Sequence, residues 1–264
     1  MKVLAVLRDP CFSPNSVEKD RAILMAVVRR LQGRGHEVDV KAESELADSP
    51  LHDYETVFSM GRFPETLAQL KGLGVPVINS PEGVARCQRK VLQHIMETAG
   101  VPVPPKQGEH GYWLKRGDTA AAQTEADVVY AADEEELQLK ISEFRRRGLS
   151  DYTVSAHVVG DVVKFYGVRG TAFFRYFYTA ADGESKFGDE QRHGQARYYP
   201  FEVADLRRVS EQLAGVVGVD VYGGDAIVRQ DGTFCIIDFN DWPSFSRCRE
   251  EAAEAVAELV SDEC

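Results

Sequence analysis

Three oxygen-bearing side chains near the carboxyl end of the chain have the types and the spacing of a metal site. Asp225 stands at the start of one apolar strand, and Asp238 and Asn240 leave the next one. Residues two apart on an extended chain project to the same face, so Asp238 and Asn240 should lie side by side. Carboxylate and amide oxygens are the hard ligands that suit Mg²⁺, which also keeps waters and binds nucleotide phosphates. The pattern predicts a magnesium site.

The stretch from Gly223 to Ser246 is predicted to form a β-hairpin that brings these side chains together. Two short apolar runs, AIV and FCII, are separated by the turn-forming residues 230–232. Asp225 then lies across the hairpin from the other two ligands. The alternative is an ordinary hairpin with polar ends, but three aligned oxygen ligands followed by Trp-Pro-Ser are less common and favour the metal site.

Composition limits the partners of such a site. The chain has 264 residues with 28% charged side chains, and its formal net charge is −11. Bulk charge therefore does not hold it on nucleic acid or anionic lipid, and an anionic substrate needs a local basic cluster. No apolar run approaches the ~20 residues that span a bilayer, and no signal peptide is expected. Five cysteines without paired spacing predict neither a zinc site nor disulfides, which favours a cytoplasmic protein.

The elements that must position the site begin with an N-terminal unit over residues 1–80. Helical periodicity and apolar runs alternate there, which predicts a small parallel α/β domain. The strands are expected at 1–7, 36–42, 56–60 and 75–79, and the helices at 20–32 and 64–71. The first loop lacks the G-x-G-x-x-G pattern of a dinucleotide site, so this domain is expected to frame a substrate.

The rest of the chain is predicted to form two α+β lobes, over residues 81–154 and 155–264. A helix is expected from Ser80-Pro81 to Gly100, where serine caps the first turn. Three successive strands from 151 to 180 should form an antiparallel meander with a turn at Gly160-Asp161. The remaining strands are expected at 112–116 and 127–131, and the remaining helices at 133–147, 202–217 and 246–263. The polar loops 117–126 and 181–199 are typical of functional or disordered segments.

This order of parts resembles the ATP-grasp superfamily over essentially the whole chain. The family carries an acid on one strand and an acid-x-Asn pair with a following proline on the next, which here are Asp225, Asp238, Asn240 and Pro243. The segment SPEGVARCQRKVLQHIMETAGVPVPP is similar to the one between the family's domains. The resemblance implies an α/β and α+β fold, in which a small N-terminal parallel α/β domain precedes two α+β lobes that clamp ATP.

The resemblance also implies roles for single residues. Asp225, Asp238 and Asn240 would hold one or two Mg²⁺ ions on the ATP phosphates, while Lys90 and Lys115 match the phosphate-contacting lysines. Lys115 is expected to act in catalysis as well. The strand-turn SAHVVGD resembles the adenine hinge, which is assigned to Ser155, Ala156, His157 and Val158, with Asp161 on the ribose.

The sequence departs from the family at two places. Lys115-Arg116 leads into GDTAAAQTEA instead of a Lys-Pro pair and a Gly/Ser-rich loop. The hinge carries Ser155-Ala156 where a Gln-Glu or Glu-Lys pair is usual, although recognition of adenine through backbone atoms would survive this change.

Several basic residues have two interpretations each. Lys164 is either an edge residue that points to water or a phosphate ligand. Arg175 either faces the cleft as a catalytic cation or snorkels at the sheet surface. Four basic residues of the long loop form either a solvated segment or a lid for an anionic co-substrate; they are Lys186, Arg192, His193 and Arg197.

Three functions remain open at this stage. The first is an ATP- and Mg²⁺-dependent ligase that activates a carboxylate as an acylphosphate for attack by an amine or similar nucleophile. The second is a kinase of an alcohol, because VVKFYGVRG and IIDFNDWPSF resemble the inositol polyphosphate kinase branch of the superfamily. The third is a nucleotide-binding protein without turnover. All three imply ATP and Mg²⁺, and the two enzymes also a small-molecule acceptor.

Overall fold

The computed structural model describes residues 1–13, 16–47, 50–118, 124–179 and 194–260. Residues 119–123 and 180–193, which include Lys186, Arg192 and His193 of the predicted lid, lie outside the described part. Within the described ranges, no helix is both long enough and apolar enough to pass through a bilayer.

The N-terminal unit is a four-stranded parallel sheet with the order β2-β1-β3-β4. Its strands are β1 Lys2–Leu7, β2 Glu37–Ala42, β3 Thr56–Ser59 and β4 Val77–Ile78, and its helices are α1 Val17–Gly33 and α2 Pro64–Lys71. The prediction of a parallel α/β unit is confirmed. β1 is central and buried, so it reads as a continuous apolar run, whereas the edge strand β2 alternates.

Two short helices, α3 Pro81–Arg86 and α4 Arg89–Thr98, follow the N-terminal unit. Ser80 caps α3 as predicted, since its Oγ accepts from Gly83 N at 3.0 Å. The prediction of one helix up to Gly100 is wrong, because the chain leaves helical geometry at Gln88. α3 is seated on the end of a later helix: a Cβ at Gly83 would lie 2.1 Å from the Gly218 carbonyl oxygen. α4 instead buries Leu92 and Met96, and one straight helix could not make both contacts.

The first lobe is a three-stranded antiparallel sheet with the order β6-β5-β7. It comprises β5 Tyr112–Arg116, β6 Val128–Ala131, α5 Glu134–Arg146 and β7 Tyr152–Ala156. α5 covers one face of this sheet, where Leu137, Ile141 and Phe144 pack on Tyr112 and Leu114. The opposite face carries Trp113 and Lys115, because side chains alternate along a strand.

The second lobe is an antiparallel sheet with the order β11-β10-β8-β9. It comprises β8 Asp161–Val168, β9 Phe174–Tyr178, α6 Val203–Val217, β10 Val221–Val228, β11 Phe234–Asp241 and α7 Arg249–Ala257. The predicted meander is wrong in its first strand, because β7 belongs to the other sheet. The expected boundary between residues 154 and 155 falls inside β7, and the chain passes between the sheets at 157–160.

The two faces of the second sheet are covered unequally. One face is buried by α4 and α6 through Val163, Phe165 and Phe239. On the other face, α1, α7 and β1 pack against Tyr166, Val168 and Val221, at one end of the strands only. The remaining length of this face carries Lys164, Asp225 and Asp238, which therefore lie beside the core and not within it.

Candidate functional site

The hairpin β10–β11 brings the three predicted metal ligands to one face of the sheet. Asp225 pairs directly with Asp238, and Gly223 pairs with Asn240. Side chains of directly opposed residues project to the same face, so the two carboxylates and the amide form one cluster. A register shift between Asp225 and Ala226 marks a β-bulge at this point, and such bulges often redirect side chains beside active sites. Close approach of the strands needs glycine, since a Cβ at Gly224 would lie 2.2 Å from the Asp238 carbonyl oxygen.

Hydrogen bonds inside the cluster orient its oxygens. Asn240 Nδ2 donates to Asp238 Oδ2 at 3.1 Å, which leaves the amide oxygen of Asn240 as an acceptor. The backbone N–H of Phe239 donates to the other oxygen of Asp238 at 3.1 Å. Asp225 Oδ1 lies 3.5 Å from Lys164 Nζ, so Lys164 faces the acids rather than open water.

Two cations, Arg89 at the start of α4 and Lys115 on β5 of the first lobe, act on Asp238. Lys115 crosses from β5 and donates to the Ile237 carbonyl oxygen at 3.3 Å, beside Asp238. Burial by itself raises the pKa of the Asp238 carboxyl. The positive charges of Arg89 and Lys115 and the hydrogen bonds from Asn240 and Phe239 lower it by more, so the net shift of the pKa is downward. Asp238 is therefore an ionised carboxylate at neutral pH, next to two cations that can also meet phosphate oxygens.

The donor set fits a magnesium ion. Two carboxylates and one amide oxygen are hard ligands, and Mg²⁺ completes its octahedron with water and phosphate oxygens rather than with a full protein cage. Among the described residues, no group of three or more His, Cys, Asp or Glu side chains is arranged to bind a metal. A closed site made of protein ligands alone is thus not formed in the described ranges.

The hinge between the sheets adjoins an apolar surface. Val158, Val162, Ile227 and Cys235 pack together, with Ile237 against them, on the face that also carries Lys164 and Asp225. Ala156 N donates to Pro105 O and His157 N donates to Gly111 O, both at 2.8 Å, so these two amides hold the hinge. His157 Nδ1 accepts from Trp113 Nε1 at 3.0 Å, and Ser155 pairs with Trp113 in the sheet.

Asp161 binds the backbone of the segment before α6, which could not be predicted from the residues around it in the sequence. Its carboxylate is 4% exposed and accepts from the backbone N–H of Arg197 at 2.8 Å and of Tyr199 at 2.9 Å. Both oxygens therefore bind the segment before α6. In this structure the carboxylate thus has a structural role, and its predicted contact with a ribose stays a prediction.

Two predicted site residues lie away from the acids. Lys90 Nζ binds Asp151 Oδ1 at 2.6 Å on the surface, whereas its neighbour Arg89 donates to the Arg116 carbonyl oxygen and its charge lowers the pKa of Asp238. Arg175 forms an ion pair with Glu251 of α7 and stacks over Phe173. It therefore joins β9 to α7, and its predicted catalytic role stays a prediction.

Sequence reasoning missed Arg89, Cys87 and Arg62. Burial raises the pKa of the Cys87 thiol, as do the charges of Asp241 and Asp238, while Arg62 lowers it. The thiol is thus within electrostatic reach of the metal-site acid and of a residue from the N-terminal unit. One feature of the sequence could have indicated Arg89, because it directly precedes Lys90, a predicted phosphate ligand.

The comparisons with known proteins concern structure alone. No protein-family model matches the chain, and no curated protein matches its sequence. Among solved structures, the RimK domain ATP-grasp protein from Sphaerobacter thermophilus is 18% identical with a TM-score of 0.64, over 98% of this chain and 99% of that one. The D-alanine–D-alanine ligase from Coxiella burnetii is 12% identical with a TM-score of 0.65, over 98% and 94%. The D-alanyl-alanine synthetase A from Vibrio cholerae is 11% identical with a TM-score of 0.68, over 98% and 96%.

Proposed function

The chain has the ATP-grasp fold, and from this premise we propose that it is an ATP- and Mg²⁺-dependent ligase that joins a carboxylic acid to an amine or similar nucleophile. The observation that carries the proposal is the hydrogen bond that Lys115 of the first lobe donates to the Ile237 carbonyl oxygen, beside Asp238 of the second lobe. Phosphoryl transfer needs neutralised phosphate oxygens and correct positioning, with little covalent help from the protein. The similar solved structures are themselves named as ligases or as an ATP-grasp protein.

Each group has a distinct task in this reaction. Asp225, Asp238 and Asn240 would hold Mg²⁺, which supplies Lewis-acid neutralisation of the phosphates. Lys115, Arg89 and Lys164 would bind phosphate oxygens, with Lys90 at the edge of the site. The hinge residues Ser155, Ala156, His157 and Val158 would line the adenine. We also propose a cytoplasmic location, which suits the four unpaired cysteines of the described residues.

The bond changes follow from this arrangement. A carboxylate oxygen of the acid attacks the γ-phosphorus as the bond to the β-bridging oxygen breaks, and ADP leaves. The amine then attacks the acyl carbon, loses a proton to solvent and expels inorganic phosphate. One carboxylate oxygen therefore ends in the phosphate that is released.

This atom transfer gives the test. An acid labelled with ¹⁸O in its carboxyl group, incubated with MgATP and hydroxylamine, should yield a hydroxamate, ADP and phosphate that carries ¹⁸O. A kinase would instead produce a phosphorylated alcohol without free phosphate. A protein that only binds nucleotide would bind MgATP without releasing ADP across panels of acids and alcohols. Either result refutes the ligase proposal.

A further inference from the structure

The carboxyl edge of the N-terminal sheet carries a second group of charged residues, which meets the end of the hairpin. β1 lies between β2 and β3, so the connections that follow β1 and β2 lead to opposite sides of β1. In open α/β sheets, ligands bind in the crevice outside the carboxyl ends of the strands where the order reverses. Arg8 directly follows β1, and Arg62 follows β3.

These two arginines share one buried carboxylate, that of Asp241 at the end of β11. Arg62 donates to Asp241 Oδ1 through Nη2, and Arg8 Nη2 lies 3.5 Å from Asp241 Oδ2. Arg8 is fixed further by Asp20, to which its Nη1 donates at 3.0 Å. The side chain of Asp241 is fully buried and that of Arg8 is 8% exposed, so both belong to the buried ion pairs beneath Arg62.

Arg62 is the member of this group that a ligand can reach. Its side chain is 29% exposed, and its Nη2 is the atom that donates to Asp241. Within the described residues, the buried Nε atom of Arg62 has no hydrogen-bond partner, and neither has Asp241 Oδ2. A buried donor without an acceptor costs about 1–3 kcal/mol. An unpaired donor on the partly exposed member of the group is expected at a site that a polar ligand completes.

The crevice adjoins the metal site. Asp241, to which Arg62 donates, directly follows Asn240 on β11, so the guanidinium lies at the end of the strand that carries two of the predicted metal ligands. A small molecule could therefore present one group to the phosphates near Asp238 while another group reaches Arg62. The guanidinium plane suits a carboxylate, which it can bind through two parallel N–H groups.

Resting on the ligase function proposed above, we propose that Arg62 binds a second carboxylate of the acid substrate, one that is not activated. The substrate class is then a small dicarboxylic acid, with or without an amino group. Arg8 and Asp241 are positioning residues, since they hold the Arg62 guanidinium and do not touch the substrate.

The test compares paired substrates that differ only in the second carboxylate. Succinate, glutarate, aspartate and glutamate are each assayed beside their monomethyl esters, with MgATP, hydroxylamine and detection of ADP. The variants are Arg62→Ala, Arg62→Lys and, as a matched control on the exposed hairpin turn, Arg229→Ala. Arg229 binds Thr233 Oγ1 at 3.1 Å, away from the crevice. Thermal melting checks each variant, and Arg62→Gln replaces Arg62→Ala if the alanine variant does not fold.

We expect Arg62→Ala to raise the KM of the preferred diacid by about 10- to 100-fold, the effect of losing a charged hydrogen bond. The KM of its monoester and of ATP should change far less, Arg62→Lys should recover part of the loss, and Arg229→Ala should behave as the parent. The proposal is overturned if Arg62→Ala raises the KM of the diacid and the KM of its monoester by the same factor. It is also overturned if the KM of ATP rises as much as the KM of the diacid. So does a parent protein that binds MgATP but neither uses nor binds any diacid. Failure of the ligase function itself is distinct, because no acid of any class would then release ADP.

Discussion

Replacing Asp241 by asparagine tests whether the buried charges at the carboxyl edge of the N-terminal sheet hold the domains together. The substitution keeps the shape of the side chain but removes the negative charge between Arg8 and Arg62. Removing one partner from a buried ion pair destabilises a protein by about 3–5 kcal/mol. Because Arg8 keeps Asp20 and Arg62 is partly exposed, we expect the lower end, about 3 kcal/mol. At about 2–4 °C per kcal/mol for a protein of this size, the melting temperature should fall by about 6–12 °C.

Differential scanning calorimetry measures this shift, with Asp205→Asn as the control. Asp205 pairs with Arg208 at 3.1 Å, and both side chains are more than half exposed, so its loss should change stability by less than about 1 kcal/mol. A melting temperature of Asp241→Asn within the range of the control would refute the reasoning, because the buried arginines would then not depend on Asp241.

Three further predictions concern the nucleotide site. The net pKa shift of Asp238 is downward, so the stability and metal binding that its charge provides are present above the unfolded pKa of about 3.9. They are lost only as pH falls through the lower folded value. Lys115→Met removes a positive charge that lowers the pKa of Asp238, so the pH below which Mg²⁺-dependent ATP binding is lost should rise. An unchanged pH for this loss would contradict the effect of Lys115 on Asp238. Gly224→Ala should weaken both thermal stability and Mg²⁺-dependent binding, since its Cβ would lie 2.2 Å from the Asp238 carbonyl oxygen; unchanged melting and binding would contradict this. Cys87, whose thiol pKa is raised, should react with iodoacetamide at pH 8 more slowly than glutathione does, by mass spectrometry, and an equal rate would contradict its placement.

The hairpin could be predicted from the sequence because its signals are local. The turn at Asp231-Gly232, two β-branched runs and acids at fixed offsets determine which side chains share a face. The ATP-grasp fold, expected from this stretch and from the order of elements, is confirmed by the structure and its solved neighbours. The ends of α2 could also be predicted from local signals, and this helix begins and ends as predicted.

The rest depended on tertiary contacts that no local pattern encodes. Successive residues on a helix differ by about 100° in direction, so only the packing of α4 decides that Arg89 binds the Arg116 carbonyl oxygen while Lys90 binds Asp151. β7 and β8 follow each other closely in the chain, yet they join different sheets, because Tyr112 to Arg116 offers β7 a partner in the first lobe. The link between Asp241 and Arg62 spans most of the chain, and therefore neither residue carries a recognisable motif.

The most direct test of the nucleotide site is calorimetric titration of a non-hydrolysable ATP analogue with and without Mg²⁺. The parent protein is compared with Asp238→Asn and with Asp231→Asn, the same substitution at the exposed turn of the same hairpin. We predict that Mg²⁺ strengthens binding to the parent and to Asp231→Asn, and that this strengthening falls at least about tenfold in Asp238→Asn while the protein stays folded. An equal Mg²⁺ effect in all three proteins would contradict the assignment of Asp238 as a metal ligand, and with it the proposed nucleotide site.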